Sequence, residues 1–435
     1  MPDSAVHGAR PTPPTAYRWT VLLFLSLAMG GNYYIYDSIA PVADLLASQL
    51  GYSDTQIGWL YSIYNVSAIT TLLLGGILVD RIGVRVAGLV FAVVCLIGAL
   101  INASSGSYPA MLAGRFVLGL GAESLIVAVT TALAKWFKGK ELGFAFGVNL
   151  LVARLASVAA DNSPTWAQPL FETWRGPLVL AVAAGAIGVI GAAVYWVLET
   201  RAQRTYELGQ AGGTDTLVVA DLFKFTRSYW LMVGLCLVFY AAVFPFRSFA
   251  IKFFMEGHGA SRELGGFLNS VLPLSAMVAT PLFGLLVDRV GRRALFMLAG
   301  SLLLVPAFVL LVPGLGVTPS LYVPIALLGI AFSLIPAVMW PSVTYVVDQN
   351  RLGTAYALMT LVQQVGVMVM NWSIGAANDA AGASVSNPAG YSPGMWLFST
   401  MGVVGVAFAL LLRKSETGPG ARGLETITIR TPATS

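Results

Sequence analysis

The sequence predicts an all-α membrane protein, with twelve transmembrane helices in two pseudo-symmetric six-helix bundles. Three observations carry that expectation. Hydrophobic residues make up 57% of the 435-residue chain and charged residues only 10%. A soluble domain carries about 25% charged residues, so lipid must cover most of this surface. A ten-residue pattern occurs twice: Gly76–Arg85 and Gly284–Arg293 both read G-x-L-x-D-R-x-G-x-R, 208 residues apart. Apolar runs of bilayer length also follow one another along the chain, each near the roughly 20 residues that a spanning helix needs.

The elements follow in order. Pro11, Pro13 and Pro14 mark a short polar lead, and residues 1–18 read as a tail. It has no secretory signal pattern. Span 1 (19–40) carries Tyr33, Tyr34 and Asp37 near its end and stops at Pro41. The following loop, Pro41 to Asp54, holds Asp44 and Asp54 and no basic residue. Span 2 (55–79) runs into the first signature copy, with Asp80, Arg81 and Arg85, before span 3 (86–104). The small glycines of the signature are expected to let neighbouring helices approach. Span 4 (109–135) carries Arg115 and, at its middle, Glu123; span 5 (142–163) carries Arg154. Span 6 (175–198) completes a first bundle, 19–198, and the polar stretch 199–227 is a linker.

Span 7 (228–252) contains Tyr240 and Pro245 and ends on Arg247 and Lys252. A mid-helix proline frees a carbonyl and permits a bend, so span 7 is a candidate gate; a purely structural kink is the alternative. Span 8 (264–287) runs into the second signature, with Asp288, Arg289 and Arg293. Spans 9 (293–313), 10 (319–347, with Trp340), 11 (353–377) and 12 (390–412) complete a second bundle, 228–412. Residues 413–435 show no core pattern and are expected to form a flexible tail. The repeat also reaches beyond the signature. Leu142-Gly143-Phe144-Ala145-Phe146 opens span 5 and Leu352-Gly353-Thr354-Ala355-Tyr356 opens span 11, an offset of 210.

Charge sets the orientation. Of 25 Lys and Arg, 19 fall in the tails and in the loops that lead from even to odd spans. By the positive-inside rule both termini are cytoplasmic. The formal net charge of +5 does not form a basic stripe, so nucleic acid is not an expected partner. Cys95 and Cys236 lie inside apolar runs and read as packing residues, and no metal-ligand spacing occurs.

A charge at mid-bilayer costs about 2.5–3.5 kcal/mol on insertion scales, so each needs a reason. At the repeat offset of 210, Glu123 falls on Ser333 and Arg154 on Gln364. The fold therefore builds equivalent helices without these charges, which favours a functional reading over a buried ion pair that merely pins two helices. One anion and one cation at mid-span suit a zwitterion. Glu123 can receive an ammonium group, and Arg154 can grip a carboxylate with two parallel hydrogen bonds. The charges alone equally suit an amino acid or a sugar acid. Tyr33, Tyr34, Tyr240 and Trp340 are candidate cavity residues, with an interfacial aromatic belt as the alternative. Asp37, Arg247 and Lys252 are further candidates for the substrate site, Lys252 having a snorkelling alternative.

The duplicated signature resembles the loop signature of the major facilitator superfamily. That likeness implies that Asp80, Arg81, Arg85, Asp288, Arg289 and Arg293 latch the two halves at the cytoplasmic face. Gly114-Arg-Phe-Val-Leu-Gly-Leu-Gly-Ala-Glu-Ser-Leu125, Ala153-Arg154, Tyr240-Ala-Ala-Val-Phe-Pro-Phe246 and Lys252-Phe-Phe254 resemble the branch that contains lysosomal dipeptide uniporters. The resemblance implies passive uniport of short peptides by alternating access, with Glu123 on the peptide amine and Arg154 on its carboxylate. It implies no cofactor and a monomeric carrier in the lipid bilayer. Arg247 departs from the branch, adding a cation that can pair with Asp37 or favour acidic cargo. The lead lacks an acidic dileucine sorting signal and arginine outnumbers lysine. A bacterial inner membrane is therefore expected rather than a lysosome.

The alternative function is a proton-coupled symporter of peptides, amino acids or organic anions, with Asp37 or Glu123 as the proton carrier. An antiporter is disfavoured because span 5 lacks a G-P-x-x-G-G run. A receptor or scaffold has no appended domain to support it. An enzyme is not expected, since there is no nucleophile–histidine arrangement and no phosphate loop.

Overall fold

The structure, a computed structural model, describes residues 11–137, 139, 141–208, 224–315 and 320–428, except the side chains of 72–76 and 80. Twelve long helices are present among them. They are α1 (Thr15–Asp37), α2 (Asp54–Ile82), α3 (Val84–Ser104), α4 (Tyr108–Phe137), α5 (Leu142–Asp161), α6 (Arg175–Thr205), α7 (Arg227–His258), α8 (Arg262–Val290), α9 (Arg293–Leu310), α10 (Tyr322–Val346), α11 (Leu352–Ala380) and α12 (Ser392–Glu416). Ten are long and apolar enough to cross a membrane by length and composition.

The helices form two bundles of six with the same internal packing. In the first, α1 packs on α5 and α6, α4 on α2 and α3, and α3 on α6. Adding six to each number reproduces the second: α7 on α11 and α12, α10 on α8 and α9, α9 on α12. The bundles meet through α2 with α11 and α5 with α8, which the same operation also interchanges. The α2–α11 contact is much the larger. The end that carries Thr15 and Glu416 is the near end below; the other is the far end.

Local chemistry sets the boundaries. Ser53 and Gln56 form a capping box at the start of α2: the Gln56 amide donates to Ser53 Oγ at 3.2 Å, and the Ser53 amide donates to Gln56 Oε1 at 3.0 Å. Ser261 caps α8 and Thr226 caps α7 in the simpler way. The second glycine of each signature copy ends its helix with positive φ, 82° at Gly83 and 76° at Gly291. A side chain there would be strained, and this explains why glycine recurs in both copies. The expected close approach of neighbouring helices is not seen at Gly83 or Gly284, whereas Gly291 is approached by the C-terminal tail, where a Cβ would stand 3.2 Å from Thr428 Cγ2. A Cβ at Gly83 or Gly284 would meet nothing within 4 Å.

Two expectations about the connecting segments are corrected. The stretch after Pro41 is not an open loop. Ala40–Val42 and Ala43–Leu50 form two short helical turns whose Val42, Ala43 and Leu46 are fully buried. They join the apolar core of the second bundle, so the far end is closed by packing as well as by charge. The chain beyond Arg413 is not loose as far as residue 428. Leu424 is buried, and the Glu425 carboxylate accepts from the amides of Ala294 (2.7 Å) and Leu295 (3.3 Å). Arg293 donates from its amide to the Leu424 carbonyl and from Nη1 to the Ile427 carbonyl at 2.6 Å. The tail thus supplies the first turn of α9 with the acceptors its exposed amides require. The sequence held no local cap for α9, and that vacancy was the missed signal. Glu425→Ala is expected to cost about 1 kcal/mol; a thermal-unfolding midpoint that does not fall would contradict the capping role.

Candidate functional site

Mid-way along the helices, between the bundles, lies a cavity of about 210 Å³. α1 contributes Asn32, Tyr33 and Tyr36, α2 Tyr64, α4 Glu123, α5 Arg154, α7 Tyr240, and α11 Gln363 and Gln364. It holds one carboxylate and one guanidinium, and they do not pair with each other. Glu123 accepts from Gln364 Nε2 at 3.0 Å and from the Tyr64 hydroxyl at 3.3 Å, with no cation on it among the described residues. Arg154 lies between the rings of Tyr33 (5.8 Å) and Phe332 (5.7 Å), with no carboxylate within ion-pair distance among the described residues. Ring faces hold the guanidinium without using up its hydrogen-bond donors.

Tyr240 is held from behind, since Trp340 Nε1 donates to its hydroxyl at 2.8 Å. Trp340 itself stacks on Tyr356. Of the sequence-predicted substrate residues, Tyr33, Glu123, Arg154 and Tyr240 line the cavity, with Trp340 directly behind Tyr240. Tyr34 does not line it; one residue on from Tyr33, it is turned the other way around α1 and reaches Ser163. Among the described residues no group of His, Cys, Asp and Glu side chains could hold a metal ion.

Asp37, Arg247 and Lys252 lie away from the cavity, in a charged clasp at the far end. Arg247 of α7 reaches Asp161 of α5 at 3.0 Å and Asp37 of α1 at 3.6 Å, and Asn269 of α8 donates to Asp161 at 2.8 Å. Lys252 pairs with Asp54 of α2 at 2.8 Å and Glu256 at 3.0 Å, and donates to the Tyr391 hydroxyl. Asn378 donates to Asp54, and the amides of Asp54 and Thr55 donate to Asp379 of α11. Arg262 pairs with Asp44. All these bonds except Lys252 with Glu256 and Tyr391 join one bundle to the other. The helices close tightly here, as a Cβ on Gly58 would stand 2.3 Å from the Asn371 carbonyl oxygen. Asp161, Asp54, Glu256 and Asp379 were missed because each sits at a helix end, where a charge needs no explanation, and Asn269, inside α8, because it carries no charge. The available signal was the acidic stretch Asp44–Asp54 set against Arg247, Lys252 and Arg262.

The signature residues are arranged within their own bundles. Arg293 donates to Asp288 (3.2 Å) and to the Tyr345 hydroxyl (2.9 Å), while Arg85 donates to Thr200 and Gln203. Arg81 and Arg289 are exposed. The Asp80 side chain lies outside those described. None of these contacts crosses between bundles. Pro245 is buried within an unbroken α7.

A family model described as the Major Facilitator Superfamily matches residues 22–371 and 248–433. The chain belongs to the major facilitator superfamily. It is therefore a multi-pass membrane transporter and not an enzyme. This facilitator is 31% identical to the lysosomal dipeptide transporter MFSD1 of Danio rerio over 379 residues, 84% of this chain and 82% of the relative. Against the protein of the same name from Homo sapiens it is 31% identical over 409 residues, covering 88% and 86%. In fold the facilitator is similar to the nucleoside transporter NupG, with TM-score 0.72 at 15% identity over 91% of this chain and 98% of that one. It is also similar to a bacterial homologue of the human lysosomal transporter Spinster in an inward-facing, occupied conformation, with TM-score 0.70 at 18% identity over 92% and 98%.

The clasp carries its own test. Arg247→Met leaves Asp37 and Asp161 buried without their cation. That loss is expected to destabilise the facilitator by about 3–5 kcal/mol, partly restored by adding Asp161→Asn. A melting temperature unchanged by the single substitution would show that the pairing is not formed.

Proposed function

We propose that this facilitator moves dipeptides or similar small zwitterions across a membrane by alternating-access uniport. The observation that carries the reading is one cavity walled by a carboxylate and a guanidinium that leave each other unpaired. A charged group at mid-span that has no partner is costly. A cargo bearing both signs removes that cost at both ends. Its ammonium group would take the place of Gln364 on Glu123, and its carboxylate would accept two parallel hydrogen bonds from Arg154. An extended dipeptide is roughly 7 Å long, a length that suits side chains projecting from opposite walls. The likeness to lysosomal dipeptide transporters supports the same cargo class.

In this reading the near end faces the cytoplasm, as the excess of basic residues there favours. The clasp keeps the far end shut, and the signature residues Asp80, Arg81, Arg85, Asp288, Arg289 and Arg293 would close the near end in the opposite state. Asp37, Arg247 and Lys252 then act as gate rather than as cargo contacts. The setting is proposed to be a bacterial inner membrane, and the carrier a monomer.

The test is counterflow of a labelled dipeptide in proteoliposomes. Glu123→Gln and Arg154→Ala each remove one partner of a buried charge contact. Uptake should fall on the order of 30-fold or more, the equivalent of about 2 kcal/mol. Unaltered uptake in both variants would reject the assignment.

One observation favours proton-coupled symport as a second reading: Asp37 and Asp161 share the single cation Arg247, which leaves one carboxylate uncompensated. Uniport predicts that an imposed pH gradient drives no accumulation of dipeptide. Uphill accumulation along the proton gradient would decide for symport.

A further inference from the structure

The central cavity does not end at Arg154. A second chamber of about 470 Å³ begins there, and Arg154 and Tyr240 belong to the walls of both. It occupies the space between the near halves of α5 and α8, where the two bundles stand apart. Its walls are apolar: Val148 and Leu151 from α5, Ala276 and Met277 from α8, Phe332 and Pro336 from α10. Thr280 also lines it, but its hydroxyl is engaged by the Ser333 carbonyl at 3.3 Å. The guanidinium of Arg154 therefore stands at the seam of a polar space and an apolar one. Chambers of this size and lining suit a bulky apolar group.

We infer that this chamber receives the side chain of the cargo's carboxyl-terminal residue. The facilitator would then select dipeptides with a large apolar residue in second position. The inference rests on the peptide reading above. Covalent geometry ties the two ends together. In a peptide the α carbon is bonded directly to the carboxylate carbon, about 1.5 Å away. A carboxylate held by Arg154 thus brings the adjoining side chain to the mouth of the chamber. The amino-terminal side chain lies instead toward Tyr64, Thr360, Gln363 and Gln364, a mostly polar wall. Burial in the chamber rewards apolar bulk at one position only. The chamber is also open at its rim, where Phe144, Leu150, Leu151 and Pro281 are exposed. A lipid acyl chain is therefore the competing occupant, and the experiment includes it.

The experiment compares sequence isomers, which share composition and net charge. Binding of Ala-Ala, Ala-Phe, Phe-Ala, Ala-Leu and Leu-Ala, and of oleate, is measured by calorimetry on the full chain in lipid nanodiscs. Ala-Phe and Ala-Leu are expected to bind about ten-fold more tightly than their reversed isomers, in line with what one apolar pocket discriminates. Ala276→Phe, which fills the chamber, should bring that ratio toward one. Isomers that bind equally while Ala-Ala still binds would overturn the inference and leave the peptide reading standing. Failure of every dipeptide would overturn both. Oleate that displaces Ala-Phe but not Ala-Ala would support the chamber as the site of the second side chain. Oleate that binds while the isomers stay equal would assign the chamber to an acyl chain and reject the proposal. The isomer comparison uses the unaltered chain, so it decides even if Ala276→Phe fails to fold.

Discussion

A charge within an apolar slab must be paired or wetted, because neither lipid nor a hydrocarbon core can solvate it. The arrangement of this facilitator follows from how its buried charges meet that demand. At the far end they meet it by pairing across the bundle interface, with Arg247 on Asp161 and Asp37, and Lys252 on Asp54. At mid-span Glu123 and Arg154 meet it by facing a cavity. In the first bundle Arg115 uses a third solution. It is fully buried, donates to the carbonyls of Leu60 and Tyr36, and sits against the rings of Tyr36, Tyr61 and Tyr64. That arginine ties α1, α2 and α4 together and does not line the cavity.

The pseudo-symmetry sharpens the contrast between the two mid-span charges. Gln364 is the repeat counterpart of Arg154, and Ser333 that of Glu123. Gln364 crosses the interface to Glu123 at 3.0 Å. The symmetric partner of that contact would run from Arg154 to Ser333. There the Ser333 hydroxyl turns back to the Gly329 carbonyl at 2.8 Å, and Arg154 meets the ring of Phe332 instead. One half of the symmetric pair is satisfied by protein, and the other has no carboxylate partner among the described residues. The same asymmetry appears between helices, since α2 and α11 pack closely while α5 and α8 part around the apolar chamber. Equivalent positions of the two repeats are thus treated differently on the two sides of the cavity.

Much of this was legible in the sequence because lipid simplifies the reading. The twelve helices and the two bundles followed from apolar run length and from the duplicated signature, and they required no tertiary information. Glu123 and Arg154 were legible because a mid-bilayer charge has no default explanation. Asp161 and Asp54 were not, because a carboxylate at a helix end is ordinary until the opposing helix is known. Tyr34 misled for a geometric reason: Asn32, Tyr36 and Tyr33 share one arc of α1 that faces the cavity, and Tyr34, about 100° beyond Tyr33, falls outside that arc. The strap at residues 417–428 escaped because its one decisive residue, Glu425, caps a helix more than a hundred residues earlier. Tails that dock through main-chain hydrogen bonds carry little hydrophobic pattern.

On the alternating-access reading, the clasp leaves a closed far end openable. Apolar contact at the far end, through Val42, Leu46, Ile57 and Leu60, loses about 25 cal/mol for each Å² exposed to water, whatever the state of the rest. Ion pairs behave differently. Separating Arg247 from Asp161 in a dry interior is costly, but an opening far end admits water, and hydration then replaces the partner. A buried pair roughly breaks even against that hydration. Closing the far end with charge therefore fixes the register of the bundles without deepening the closed state. A carrier that works by alternating access needs its two states to differ by only a few kcal/mol. An all-apolar far end of the same area would hold the bundles together more tightly and reopen more slowly. The three cross-bundle cations Arg247, Lys252 and Arg262 thus serve balance rather than strength.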